Sequence, residues 1–131
     1  MSKKISNEER SLISAGFKNY AGNKRAELRV INAIERKEHE KGNTNNEEYA
    51  CKYRLEIEKE LRILCEEIIN IIESELLPRS NDIEDKVFYF KMKGDYYRYL
   101  CEILVGSEFN EYCSKGKESY LEADKLSSIE L

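Results

Sequence analysis

Residues Ser6–Glu40 read SNEERSLISAGFKNYAGNKRAELRVINAIERKEHE, and two features of that stretch decide the fold. Ser6-Asn7-Glu8-Glu9 has the form of a capping box. The Ser6 hydroxyl is placed to accept from the backbone donors of a first helical turn, and Glu9 to reach back to the cap. Leu12, Ile13, Phe17, Tyr20, Ala21, Leu28, Ile31 and Ile34 then recur at helical spacing, with Arg, Lys and Glu filling the gaps. Gly42-Asn43-Thr44-Asn45-Asn46 stops the pattern, which predicts a long helix over 6–40.

The rest of the chain repeats this logic. From Glu47, the apolar residues Tyr53, Ile57, Leu61, Leu64, Ile68, Ile71 and Leu76 step by three, four or five, giving a second helix over 47–76. Pro78 ends it, because proline has no amide to donate and disfavours helix in the residue before it. Pro78-Arg79-Ser80-Asn81-Asp82 reads as a turn carrying its own cap residues. Ile83, Val87, Phe88, Tyr97, Leu100, Cys101 and Leu104 mark a third helix over 81–105. A weaker fourth helix over 109–127 has Tyr112, Cys113, Gly116, Tyr120, Ala123 and Leu126 on its apolar side. With no alternating strand segment, no glycine-rich phosphate loop and no repeat, the expectation is an all-α antiparallel array of about four helices in one domain, 1–131.

Composition narrows the function. The chain has 131 residues and a net charge of -4, with charged residues making up 37% of it, yet enough large apolar residues for a core. Residues 1–41 hold ten Lys or Arg against six Glu, while residues 42–131 hold twelve against twenty Asp or Glu. Such a balance gives no general attraction to nucleic acid or to an anionic membrane, and neither is expected as a partner. Cys51, Cys65, Cys101 and Cys113 sit singly and His39 is the sole histidine, so no metal and no cofactor is expected. A polar start, no apolar run of membrane length and free thiols predict a cytoplasmic or nuclear address.

Lys18 and Arg25 lie seven residues apart on the first helix, about 20° from eclipsed and roughly 10 Å apart along the axis. Lys91 and Arg98 repeat that relation on the third helix, where Tyr99 adds a phenol and Asp95 lies one turn before both Arg98 and Tyr99. If these helices lie side by side, two basic stripes and a hydroxyl converge, and Asp95 holds a cation in position. A phosphate dianion suits that set: Arg offers paired charge-assisted bonds, Lys a point charge and Tyr a neutral donor. Spacing alone more often marks a solvated helix face than a phosphate site. Tyr89, Tyr96, Tyr97 and Tyr99 read as packing residues with wet hydroxyls, and the Glu66-Glu67 and Glu84-Asp85 pairs as solvated faces. With no nucleophile beside a base, no enzyme is expected.

The run Lys86-Val87-Phe88-Tyr89-Phe90-Lys91-Met92-Lys93-Gly94-Asp95-Tyr96-Tyr97-Arg98-Tyr99-Leu100 resembles, almost residue for residue, the most recognisable segment of the 14-3-3 family. The segment from Glu8 to Asn19 resembles that family's other familiar stretch. Ala33–Glu38, Tyr53-Arg54 and Leu61–Cys65 fall at the matching places. The resemblance implies the third to sixth helices of a nine-helix subunit: a partial 14-3-3, TPR-like domain. It also implies a non-catalytic adaptor in signal transduction that binds phosphoserine and phosphothreonine segments of client proteins through Arg clusters, the recognition mode long associated with this family.

Carried across by motif, Lys18, Arg25, Arg98 and Tyr99 match the family's phosphate-binding residues, and Lys91 and Lys93 match lysines of the same groove, which Asp95 also lines. Tyr53 and Glu60 match dimer-interface positions. Glu56 stands where a basic interface residue is usual, Glu27 where many members have a phosphorylatable serine, and Leu28 where a Trp is usual. These departures, with the first two helices of the family outside the match, argue against the usual dimer. Two other readings stay open at this point: a helical dimerisation fragment that pairs with other, complete 14-3-3 subunits, and an incomplete gene product that binds no phosphopeptide.

Overall fold

The computed structural model describes residues 5–130 and contains four α-helices in sequence: α1 (Asn7–Glu40), α2 (Thr44–Ile71), α3 (Ile83–Cys101) and α4 (Gly106–Glu130). No strand occurs among the described residues. The capping box forms as its sequence dictates: the Glu9 amide donates to the Ser6 hydroxyl at 3.1 Å, and the Ser6 amide donates to the Glu9 carboxylate at 3.0 Å. Asp82 caps α3 in the same way, accepting from the Asp85 amide at 2.9 Å.

The helix boundaries differ from the sequence reading in three places. The break after α1 is short, because Gly42 takes a left-handed φ of 74° and reverses the chain at once. Thr44, Asn45 and Asn46 therefore already belong to the first turn of α2. At its other end α2 widens into a π-helical turn, Ile72–Leu76, where the Leu77 amide reaches back five residues to the Ile72 carbonyl at 2.9 Å. Finally, α3 stops at Cys101, and a turn in which the Ile103 and Leu104 amides donate to the Leu100 carbonyl hands over to α4 at Gly106, whose φ is 68°. Residues 102–105 are thus a connection, and α4 starts earlier and runs further than 109–127.

Consecutive helices are antiparallel. Arg54 of α2 bonds Glu35 of α1 at 2.6 Å, while Lys24 of α1 pairs with Glu60. α3 and α4 are joined by Tyr120 to Asp95 at one end and by the Cys101 and Cys113 thiols at the other. α2 runs through the middle, and its Leu61, Cys65 and Ile68, with Ile72 of the π-helical turn, pack with Tyr89, Tyr96 and Leu100 of α3 as the largest fully buried side chains. Burial of each such side chain favours the fold by about 1.5–3 kcal/mol. α3 and α4 approach closely because Gly94, Gly116, Ser119 and Ala123 are small and buried at their contact. A Cβ on Gly94 would lie 2.6 Å from the Tyr120 ring.

Parts of the apolar pattern face outward. Leu12, Tyr20, Ile34 and Tyr53 are exposed although they fit the helical period, because each long helix has one covered face and α1 and α2 carry apolar residues on more than one. Asp85 corrects the reading of Glu84-Asp85 as a solvated pair: it is buried and accepts from Arg10 of α1 at 2.7 Å. The tyrosine run also departs from expectation. Tyr89 and Tyr96 bury their hydroxyls without a hydrogen-bond partner among the described residues, and burial pushes both phenols above their ordinary pKa.

Candidate phosphate-binding site

Parallel α1 and α3 meet through long side chains rather than close backbone packing. Arg10 reaches Asp85 and lies 4.4 Å from the Phe88 ring centre, Phe17 packs edge-on against Tyr96, and Arg25 stacks over Tyr99. The pairing advances along both helices in the same direction, so the basic faces of α1 and α3 lie side by side.

At the far end of this seam Tyr99 gathers two cations. The Arg25 guanidinium carbon lies 4.0 Å from the Tyr99 ring centre, and that of Arg98 lies 5.3 Å from it. Tyr99 is itself fixed by an edge-on contact with buried Tyr96, ring centres 5.3 Å apart. The Arg25 fork is occupied by Glu102, whose two carboxylate oxygens each accept at 3.0 Å. Arg98 pairs with Asp95 at 3.6 Å, and Asp95 is fixed from α4 by the Tyr120 hydroxyl at 2.6 Å. Partial burial works against the charge on Arg98, but Tyr120 and Asp95 outweigh it and hold its pKa above the ordinary value. Burial, then the bond to Asp95, push the Tyr120 phenol up to about 12, so it stays a donor.

The structure therefore brings Arg25, Arg98, Tyr99 and Asp95 into one cluster. Lys18 is exposed on α1 two turns before Arg25, and Lys91 is exposed on α3 two turns before Arg98. Lys93 lies elsewhere. Two residues turn a helix by about 200°, which takes Lys93 to the opposite side of α3 from Lys91. There it pairs with Glu73 at 3.1 Å and lines a separate hollow of about 410 Å³ with Phe90, Tyr97 and Lys115.

The proposed interface residues share another surface, the outer side of α1 and α2. Glu27 and Tyr53 line a hollow of about 550 Å³ with Val30 and Ile34. Glu56 is exposed on α2. Lys24 pairs with both Glu27 and Glu60, so these two carboxylates do not present bare negative charge.

Two residues of the cluster had no sequence signal as site residues. Glu102 lies 77 residues from Arg25 in the chain, and no spacing rule pairs them. Tyr120 sits on the apolar side of α4, and its bond to Asp95 exists only because Gly94 lets the helices close up.

The site thus sets two arginines on one tyrosine ring within an all-helical array. The family model described as 14-3-3 protein matches residues 1–131, and the chain belongs to the 14-3-3 family. It is 44% identical over 124 residues to the checkpoint signal transducer rad24 of Schizosaccharomyces pombe, covering 95% of this chain and 46% of that protein. It is 44% identical over 119 residues to the 14-3-3-like protein 2 of Caenorhabditis elegans, covering 91% and 47%. With 14-3-3 protein 3 of Entamoeba histolytica it shares 42% over 127 residues, covering 97% and 53%. The chain thus spans about half the length of the curated relatives it matches. No helix among the described residues is long and apolar enough to cross a membrane.

Proposed function

We propose that the chain is a non-catalytic adaptor of signal transduction that binds phosphoserine- and phosphothreonine-containing segments of client proteins in the cytoplasm. The observation that carries this reading is the placement of Arg25 and Arg98 on the single Tyr99 ring. In the resting chain Glu102 fills the Arg25 fork with the same two-oxygen geometry that a phosphate offers. A phosphate dianion brings more charge and a further acceptor, and it replaces Glu102 at Arg25 while accepting from Arg98 and the Tyr99 hydroxyl. Asp95 and Tyr120 keep Arg98 aimed, while Lys18, two turns before Arg25 on α1, and Lys91, two turns before Arg98 on α3, add point charges along the groove. Lys93, held by Glu73 on the other side of α3, takes no part in holding the phosphate.

Fluorescence polarisation with a labelled phosphoserine peptide tests the assignment through Arg25→Ala, Arg98→Ala and Tyr99→Phe. Charge-assisted bonds contribute about 1.5–3 kcal/mol each, so either arginine variant is expected to bind at least about tenfold more weakly. Variants that bind like the parent would overturn it.

The exposed apolar hollow at Val30, Ile34 and Tyr53 supports a second reading, in which this face pairs with another 14-3-3 subunit and the chain binds no phosphopeptide. Co-purification with a complete family member, without peptide binding, separates the second reading from the first.

A further inference from the structure

We propose that Cys101 and Cys113 form a redox-active dithiol that closes to an intramolecular disulfide, tying the end of α3 to α4. Cys101 is the last residue of α3, and Cys113 lies about two turns into α4. The turn at Gly106 folds the second helix back so that the Cys113 thiol donates to the Cys101 sulfur at 2.9 Å. Cys101 in turn lies 3.9 Å from the Phe109 carbonyl oxygen, within reach of a thiol donor. A disulfide bond is about 2.05 Å long, so the two sulfurs need to approach by only roughly 0.9 Å, within the reach of small side-chain rotations.

Neither remaining cysteine competes for this partnership. Cys65 is wholly buried in the core, and Cys51 lies on α2 beside the Arg54 guanidinium at 3.4 Å. Cys101 and Cys113 are both partly exposed and line a hollow of about 220 Å³ with Arg98, Lys117 and Tyr120, which admits a small oxidant. Burial, then the Cys113 thiol, push Cys101 up to about 12, so its sulfur is held as the protonated thiol at neutral pH and gives up its proton only as it reacts.

With hydrogen peroxide as oxidant the step balances. One thiol gives up its proton and its sulfur attacks the O–O bond, leaving a sulfenic acid and one water. The second sulfur displaces the sulfenic hydroxyl, which departs as water with the second thiol's proton. One S–S bond forms, one O–O bond breaks, each sulfur loses one electron and both oxygens leave as water. The product staples a short loop through the Gly106 turn, which restricts the unfolded chain more than the folded one.

The test uses the whole chain, reduced, freed of reductant and titrated with hydrogen peroxide, then alkylated under denaturing conditions and mapped by mass spectrometry. Cys101 and Cys113 are expected to lose alkylation together and to appear as one joined peptide within a single chain, while Cys51 and Cys65 remain alkylated. The melting temperature is expected to rise by several degrees, to return on adding dithiothreitol, and not to move in Cys113→Ser. Oxidation of Cys51 before the pair, separate sulfinic acids at Cys101 and Cys113, or disulfides only between chains would overturn the proposal. So would a joined peptide that lowers the melting temperature, since the folded packing would then not favour the bond. Should Cys113→Ser fold poorly, the peptide map of the parent decides alone.

Discussion

Arg10→Ala should be among the most damaging single substitutions in the chain, because it removes the guanidinium that faces buried Asp85 at 2.7 Å. The Asp85 side chain is 5% exposed and that of Arg10 is 12% exposed, so the pair is largely out of water. Breaking a buried pair from one side costs about 3–5 kcal/mol, most of it from the charge left behind. The Arg10 stem also packs on Phe88, and that contact goes with it. Unfolding entropies of about 2.1 cal/mol/K per residue translate the loss into a fall in melting temperature of roughly 10–20 °C. Circular dichroism at 222 nm, in heat and in urea, reads this directly. The double variant Arg10→Ala with Asp85→Asn should recover part of the loss, because no carboxylate is then stranded. A loss below about 1 kcal/mol for Arg10→Ala alone, or no recovery in the double variant, would show that the α1–α3 seam does not depend on this pair.

Three further outcomes are expected. Glu102→Gln removes the carboxylate that competes for the Arg25 fork; a half-exposed pair of this kind contributes about 0.2–1 kcal/mol, so phosphopeptide affinity measured by polarisation should rise by up to about fivefold. Gly94→Ala drives a methyl into the Tyr120 ring and is expected to destabilise by about 1–3 kcal/mol in urea titrations, whereas Gly22→Ala, with nothing within 4 Å, should stabilise by about 0.5–1 kcal/mol. Burial, then Glu73 for Tyr97 and Asp95 for Tyr120, push both phenols to about 12, above the ordinary value of ~10. The folded chain therefore keeps protons that the unfolded chain releases, so stability is full below pH ~10 and falls as pH rises towards 12, a loss that Tyr120→Phe should reduce in alkaline thermal melts.

The fold was legible where the sequence carries local physics. Ser6 and Glu9 announce the start of α1, Pro78 and Asp82 bracket the turn before α3, and the spacing of Ile57, Leu61 and Ile68 marks the buried face of α2. The boundaries at Gly42 and Gly106 were less legible, because positive φ is a choice that glycine permits but does not require. Periodicity also overstated the core: Leu12 and Tyr20 satisfy the helical period but face solvent, since a pattern says which residues share a face and not which face is covered. For the cluster, i, i+7 spacing put Lys18 with Arg25 and Lys91 with Arg98, and the match to the family joined the two helices. The contacts that set its geometry, Arg25 to Glu102 and Tyr120 to Asp95, join residues 77 and 25 positions apart in the chain, beyond the reach of any spacing rule.

The central claim is that the two guanidinium groups on Tyr99 recognise phosphate, and a single comparison tests it most directly: the dissociation constant of the chain for one fluorescent peptide with its serine phosphorylated, against the same peptide unphosphorylated. Two arginines each contributing about 1.5–3 kcal/mol to a phosphate predict at least a hundredfold preference for the phosphorylated form. Equal binding of the two peptides would contradict the account.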